Sequence, residues 1–263
     1  MTMTAAEKII RKILVPSVLD TNGWADVPAQ LRDRAFFSAT VTESRFLERA
    51  LEACARIANG EMSPSEARRD LRTVLEEVGY DPEGEVGLKN LMSKRRLDLI
   101  VDTNKRQARG WRQRLEAVKP GALIAYPAQE LVRARQRRIP RNWAVRWNEA
   151  ARAVGWEGVY RDEFRHVALK TSPIWTKISR FGTPYPPFDF NSGMAVRDVS
   201  ASECRRIGLD YGSQKAVAEK FNDSLETSSG GVSADSPLGK AMLARFGGRV
   251  EIVGGVIKWK EQT

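Results

Sequence analysis

The chain has little of what site chemistry usually requires. Its 263 residues include two cysteines and one histidine. Cys54 and Cys204 lie far apart, which argues against a disulfide framework and for a reducing compartment. With His166 they are too few for a structural zinc site of the Cys/His kind. No clustered Asp/Glu motif suggests a carboxylate metal site. A nucleophile elbow, a phosphate-binding glycine loop, a dinucleotide fingerprint and a metalloprotease helix are all missing. Ser192, in Asn-Ser-Gly, lacks the glycine pattern that flanks a hydrolase serine. The expectation is therefore a protein without a cofactor or a bound metal, and not an enzyme. Long apolar runs are missing too, since none approaches the roughly 20 residues a spanning helix needs. The first residues, MTMTAAEKIIRKILVP, read as a short amphipathic helix rather than a secretory leader.

Hydrophobic residues make up 42% of the chain, enough for a globular core, and the net charge is +10. Residues 89–152 hold seventeen Lys/Arg against five Asp/Glu, a local charge of +12, so the remainder nets −2. Such a concentration is a footprint for a polyanion, most often nucleic acid. The plainer reading is a solvated helical surface, but such surfaces usually mix the two signs.

The first half reads as helices. VTESRFLERALEACARIA (41–58) places Phe46, Leu47, Ala50, Leu51, Cys54, Ile57 and Ala58 on one stripe, and Asn59-Gly60 stops it. Ser63-Pro64-Ser65-Glu66 is a capping box that opens a helix carrying Leu71, Val74, Leu75 and Val78. The pair predicts an αα-hairpin. GYDPEGEVGL (79–88) forms a joint. KRRLDLIVDTNKRQARGWRQRLEAV (94–118) is amphipathic again, with Leu97, Ile100, Val101, Ala108, Trp111 and Leu115 on one face and Asn104 among them. Lys119-Pro120-Gly121 breaks it before a second basic block at 130–156. EGVYRDEFRHVALKTSPIW (157–175) supplies one or two short strands. Ser200-Ala201-Ser202-Glu203 caps a further short helix ended by Gly208. Residues 213–227 look helical, TSSGGVSADS (227–236) reads as a surface loop, and RVEIVGGVIKW (249–259) reads as a hairpin around Gly254-Gly255.

The cations are the candidates for nucleic-acid contact: Lys94, Arg95, Arg96, Lys105, Arg106, Arg109, Arg112 and Arg114, with Arg133, Arg135, Arg137, Arg138 and Arg141. Basic helices without a pattern touch phosphates and give affinity without sequence readout. Trp143 and Trp147, one helical turn apart, either stack on bases or form an apolar stripe against the core. His166 sits among strand residues, where it is a partly buried histidine or pairs with Asp162 or Glu163.

TPYPPFDFNSGM (183–194) packs three prolines and three aromatics into eight residues. Proline rules out a helix interior or a central strand. Tyr185, Pro186, Pro187, Phe188, Phe190 and Asn191 then form either a structural clasp anchored by its rings, or an exposed docking loop with Tyr185 and Phe188 outside.

Taken together, VDTNKRQARGW (101–111), the strand-like FRHVALKTSPIW (164–175) and YPPFDFNSGMAVRDVSASE (185–203) resemble, in their order and in the YPPF element, the Mu F-like minor head protein family of tailed bacteriophages. In that family a helix with a Thr-Asn pair precedes a short strand region and a Tyr-Pro-Pro aromatic loop. The resemblance covers roughly residues 90–210. Here Phe188-Asp189-Phe190-Asn191-Ser192-Gly193 replaces the Gly-Trp-Gly-Cys-Arg-Cys run of many members, so no metal or thiol chemistry is carried over. The resemblance implies a minor head protein inside the virion near the portal, assembled in the host cytoplasm. Its implied partners are the portal protein, capsid or scaffold proteins and double-stranded DNA, with no membrane. A DNA-processing enzyme or effector, and a basic DNA-binding protein unrelated to virions, are the alternatives. The expected fold is α+β: a helical region over 1–88, basic helices and a small mixed domain over 89–212, and C-terminal helices with a β-hairpin over 213–263.

Overall fold

Capping side chains decide where most helices of the first half begin. A computed structural model describes residues 4–27, 29–155, 165–212, 232–235, 240, 243 and 250–259. Thr4 accepts a hydrogen bond from the Glu7 amide while the Glu7 side chain takes one from Thr4, and α1 (Ala5–Ile10) starts there. It is shorter than the amphipathic segment 1–16 suggested, because Ile13 and Leu14 turn into a strand, β1 (Ile13–Leu14). Asp20 caps α2 (Thr21–Ala25). Next, α3 (Ala29–Arg34) runs into β2 (Ala35–Phe36), which pairs parallel with β1.

The expected αα-hairpin is present. The first helix, α4 (Ser44–Asn59), ends at Gly60 with φ +79°, a left-handed position that suits glycine. The second, α5 (Pro64–Glu77), opens on the Ser63/Glu66 capping box. Behind them lies the long α6 (Lys94–Ala117), capped by Ser93. Phe46, Leu47, Leu71, Leu75, Leu97 and Val101 meet in one core with α1. Each such side chain contributes about 1.5–3 kcal/mol on full burial, so this region holds α6 firmly by its first half.

After α7 (Pro120–Ala125) come β3 (Ala128–Arg133), α8 (Trp143–Ala153), β4 (Val167–Leu169), α9 (Ile174–Ile178), β5 (Met194–Val199) and α10 (Ala201–Arg206). The strands form an antiparallel sheet in the order β4-β3-β5, with Ala128 opposite both Leu169 and Val199. Trp143, Trp147, Trp175, Ile174, Ile178 and Phe188 close a second core over it. The fold is thus mixed α+β, a helical region followed by a small three-stranded sheet with helices.

Several details differ from expectation. The second basic block does not begin as a helix: its first residues are β3, the central strand, and Arg135 to Arg141 lie in the irregular connection to α8. Of the one or two short strands expected over 157–175, β4 is present among the described residues, and Pro173 then starts α9, which puts Ile174 and Trp175 on a helix. A third sheet, β6-β8-β7, joins β6 (Val232–Ser233) to the hairpin of β7 (Val250–Val253) and β8 (Val256–Trp259). The hairpin turns at Gly254-Gly255 as expected, whereas part of the expected loop 227–236 is strand. The helix expected over 213–227 lies outside the described residues. Among the described residues, no helix is long and apolar enough to cross a membrane.

Candidate nucleic-acid interface

The proline-aromatic segment lies across the second half of α6. Tyr185 and Phe188 are 3% and 0% exposed, which corrects the docking alternative that required both rings outside. The Tyr185 hydroxyl donates to Asp33 Oδ1 at 3.0 Å, and its ring packs with Trp111, Val118 and Leu123. Phe188 stacks on Trp175, and the half-buried Phe190 meets Phe181 edge-on at 4.7 Å. Pro186 and Pro187 are joined by a cis peptide. Close approach to α6 needs Gly110, where a Cβ would overlap the Pro186 carbonyl oxygen and come within 3.1 Å of Tyr185 Cδ2.

One carboxylate in this loop gathers cations from three places. Asp189, 1% exposed, accepts from Arg146 Nη1 at 2.8 Å and pairs with Arg180 Nε at 3.1 Å and Arg141 Nε at 3.7 Å. Asn191, exposed and at φ +51°, accepts from Arg137 Nη1 at 2.8 Å. The loop thereby pulls the β3–α8 connection toward α6.

The consequence is a basic groove of about 410 Å³, with Arg95 and Arg106 of α6 on one wall and Arg137 and Arg141 on the other. Asp98 and Asp102 also line it, but Asp98 is held by Arg68 and Lys94 at 2.7 Å each, and Asp102 pairs with Arg106 at 3.7 Å. Two basic blocks separated by some thirty residues of sequence thus converge on one surface. Arg109, Arg112, Arg133, Arg135 and Arg138 are exposed, and Lys105 is half-buried. Lys94 is exposed but engaged with Asp98.

Two predicted contacts are structural instead. Arg96 donates to Ser38 Oγ at 2.8 Å, to the Ala39 carbonyl at 2.6 Å and to the Leu88 carbonyl at 3.2 Å, which ties the α6 N-terminus to the preceding loops. Arg114 is buried, donating to Gln129 Oε1 at 3.1 Å and to the Lys170 carbonyl. The tryptophans resolve in favour of packing: Trp111, Trp143 and Trp147 are all buried. His166 is half-buried and stacks on Trp147 at 5.4 Å, and burial holds its pKa below the usual imidazole value. Its suggested partners, Asp162 and Glu163, lie outside the described residues.

A second cleft, of about 450 Å³, adjoins the groove and shares Arg141 and Phe190 with it. Its floor is Lys12, buried, with Nζ donating to Gln107 Oε1 at 2.6 Å and Asn104 Oδ1 at 3.3 Å. Burial lowers its pKa to about 8. Lys12, Arg32, Arg180 and Asp189 were not singled out from the sequence, because their meeting depends on contacts far along the chain. Asp189 alone left a signal, as a single acid inside an aromatic-proline stretch.

Beneath α10, Glu130 of β3 receives Arg165 through both oxygens at 2.9 Å and Arg197 Nε at 3.0 Å. Glu203 receives the same two arginines at 2.6 and 3.2 Å. Among the described residues, no group of three or more His, Cys, Asp or Glu gathers to hold a metal ion. No protein family, no curated protein and no solved structure matches the chain.

Proposed function

We propose that this protein is a DNA-contacting minor head protein of the Mu F-like kind. In that role it sits near the portal inside the capsid and aids head assembly, genome packaging or ejection. The observation that carries the DNA contact is the convergence of Arg95 and Arg106 with Arg137 and Arg141 on one groove, while Arg109, Arg112, Arg133, Arg135 and Arg138 are also exposed. Arginines presented in this way neutralise phosphates without reading bases. The assignment to a phage head rests on the sequence resemblance. Its elements occupy adjoining positions here: the buried Thr103-Asn104 pair lies on α6, and the Tyr-Pro-Pro loop crosses the same helix at Gly110.

The test is fluorescence anisotropy with short duplexes of unrelated sequence across a salt series. Contact with six or more phosphates lowers affinity roughly a thousandfold or more between about 50 and 200 mM salt. Replacing Arg95, Arg137, Arg138 and Arg141 by Gln should reduce the log–log salt slope by about 3.6 on every duplex, if each meets one phosphate. Absence of duplex binding at low salt would refute the DNA contact. Absence of the protein from both purified proheads and purified virions would refute the virion role.

A further inference from the structure

The cleft over Lys12 carries more positive charge than its own acids offset. The Lys12 amine is met by two neutral amide oxygens, and among the described residues no carboxylate lies within ion-pair distance of it. Nearby Asp33 is engaged by Lys8 at 3.7 Å and by the Tyr185 hydroxyl. The two acids that line the cleft are committed elsewhere. Asp20 caps α2 by accepting from the Asn22 and Gly23 amides, and Asp189 serves three arginines. Arg32 and Arg96 also line the cleft, and the buried Nε of each lacks a hydrogen-bond acceptor. A buried ammonium is costly unless an anion accompanies it.

Aromatic rings form part of the wall beside these polar groups. Trp24 stacks on the half-buried Phe37 with centroids 4.0 Å apart and planes 3° from parallel, and Phe190 faces the same space. A volume of about 450 Å³ falls in the range of small-molecule sites, which combine apolar walls with a few convergent polar groups. The chemistry that satisfies both halves is an anionic group on a flat ring system.

We propose that this cleft binds a nucleoside phosphate, its phosphate toward Lys12 and its base against Phe37 and Phe190, as a free nucleotide or as the 5′ end of a strand. The site adjoins the duplex groove and shares Arg141 with it, but Lys12 belongs to the cleft alone.

Isothermal titration calorimetry on the full chain tests it with AMP, adenosine and inorganic phosphate. AMP should bind at least about tenfold tighter than either, since it alone carries both recognised parts. Lys12→Met should weaken AMP about tenfold or more. Arg141→Gln, at an exposed position and with Arg146 and Arg180 still paired to Asp189, should weaken it several-fold. A 5′-phosphorylated single strand that displaces AMP, where the 5′-hydroxyl strand does not, assigns the strand end; displacement by neither assigns the free nucleotide. AMP binding no better than adenosine or phosphate overturns the proposal, as does AMP affinity unchanged in both variants. Lys12→Met should leave the duplex salt slope at its wild-type value, so failure here and failure of the duplex contact are read separately.

Discussion

Gly110→Ala tests the docking of the proline-aromatic loop on α6 with a single methyl group. In an unobstructed helix interior the change is favourable by about 1 kcal/mol. Here the new carbon would overlap the Pro186 carbonyl oxygen and sit 3.0 Å from the Pro186 carbonyl carbon. Carbon–oxygen contacts relax at roughly 3.3–3.6 Å, and the obstacle is backbone, so no rotamer change relieves it. Helix and loop must part. Separation exposes the Tyr185 ring, worth about 1.5–3 kcal/mol, and strains its hydrogen bond to Asp33, worth about 1.5–3 kcal/mol to a charged acceptor. After the helix gain, the net loss is about 2–5 kcal/mol, or a Tm lower by about 4–20 °C at 2–4 °C per kcal/mol. Gly121→Ala is the control: nothing lies within 4 Å of a Cβ there, and it should hold or raise Tm. Differential scanning calorimetry reads both. Gly110→Ala melting at or above wild type, alongside Gly121→Ala, would refute the packing of this loop on the helix.

Two pH predictions follow from buried charge. Glu130 and Glu203 both have pKa values held below 4.5, chiefly by hydrogen bonds from Arg165 and from Arg197 respectively, so their stabilisation is present above pH 4.5 and is lost as pH falls through the folded values. Glu130→Gln should therefore be less stable than wild type at pH 7, with a gap that narrows below pH 4.5; a urea-melt gap constant down to pH 3 would reject the network's role. Lys12 shifts stability in the same direction with pH, but in the alkaline range. Its folded pKa of about 8 lies below the ordinary 10.5, so the folded state binds that proton less tightly, and wild-type stability relative to Lys12→Met should rise between pH 8 and 10.5. At 1.36 kcal/mol per unit the change is about 3 kcal/mol, and parallel stability curves for the two proteins would refute the burial of Lys12.

The parts legible in the sequence are those whose local pattern and environment agree. In α4 and α5 an apolar stripe meets capping signals at both ends, and no distant contact overrides them. The Gly-Gly hairpin is local in the same way. Strand β3 was illegible because Gln129 and Glu130 are buried polar residues. Their partners, Arg114, Arg165 and Arg197, are supplied from elsewhere in the chain, so a polar stretch that reads as surface is the middle of a sheet. Arg96 misled, and Lys12 went unnoticed, for the same reason. Each looks like a solvent-facing cation on an amphipathic segment, yet each is spent on acceptors 57 to 95 residues away. Composition located the basic segment, but only the fold distinguishes the cations that face solvent from those that hold the chain together.

That distinction bears on what the loop at 183–193 does. Bringing Arg141, Arg146 and Arg180 together is electrostatically unfavourable, since like charges a few ångströms apart repel by several kcal/mol at the effective dielectric of a protein surface. Asp189 supplies the counter-charge at their centre, and its burial limits screening by salt. The same loop carries Asn191, which orients Arg137. Clasp and groove are therefore one construction. The rings and Gly110 fix the loop on α6, the loop fixes Asp189, and Asp189 fixes the arginines of the second basic block opposite those of the first. A change that loosens the rings should consequently weaken polyanion binding without touching a single cation.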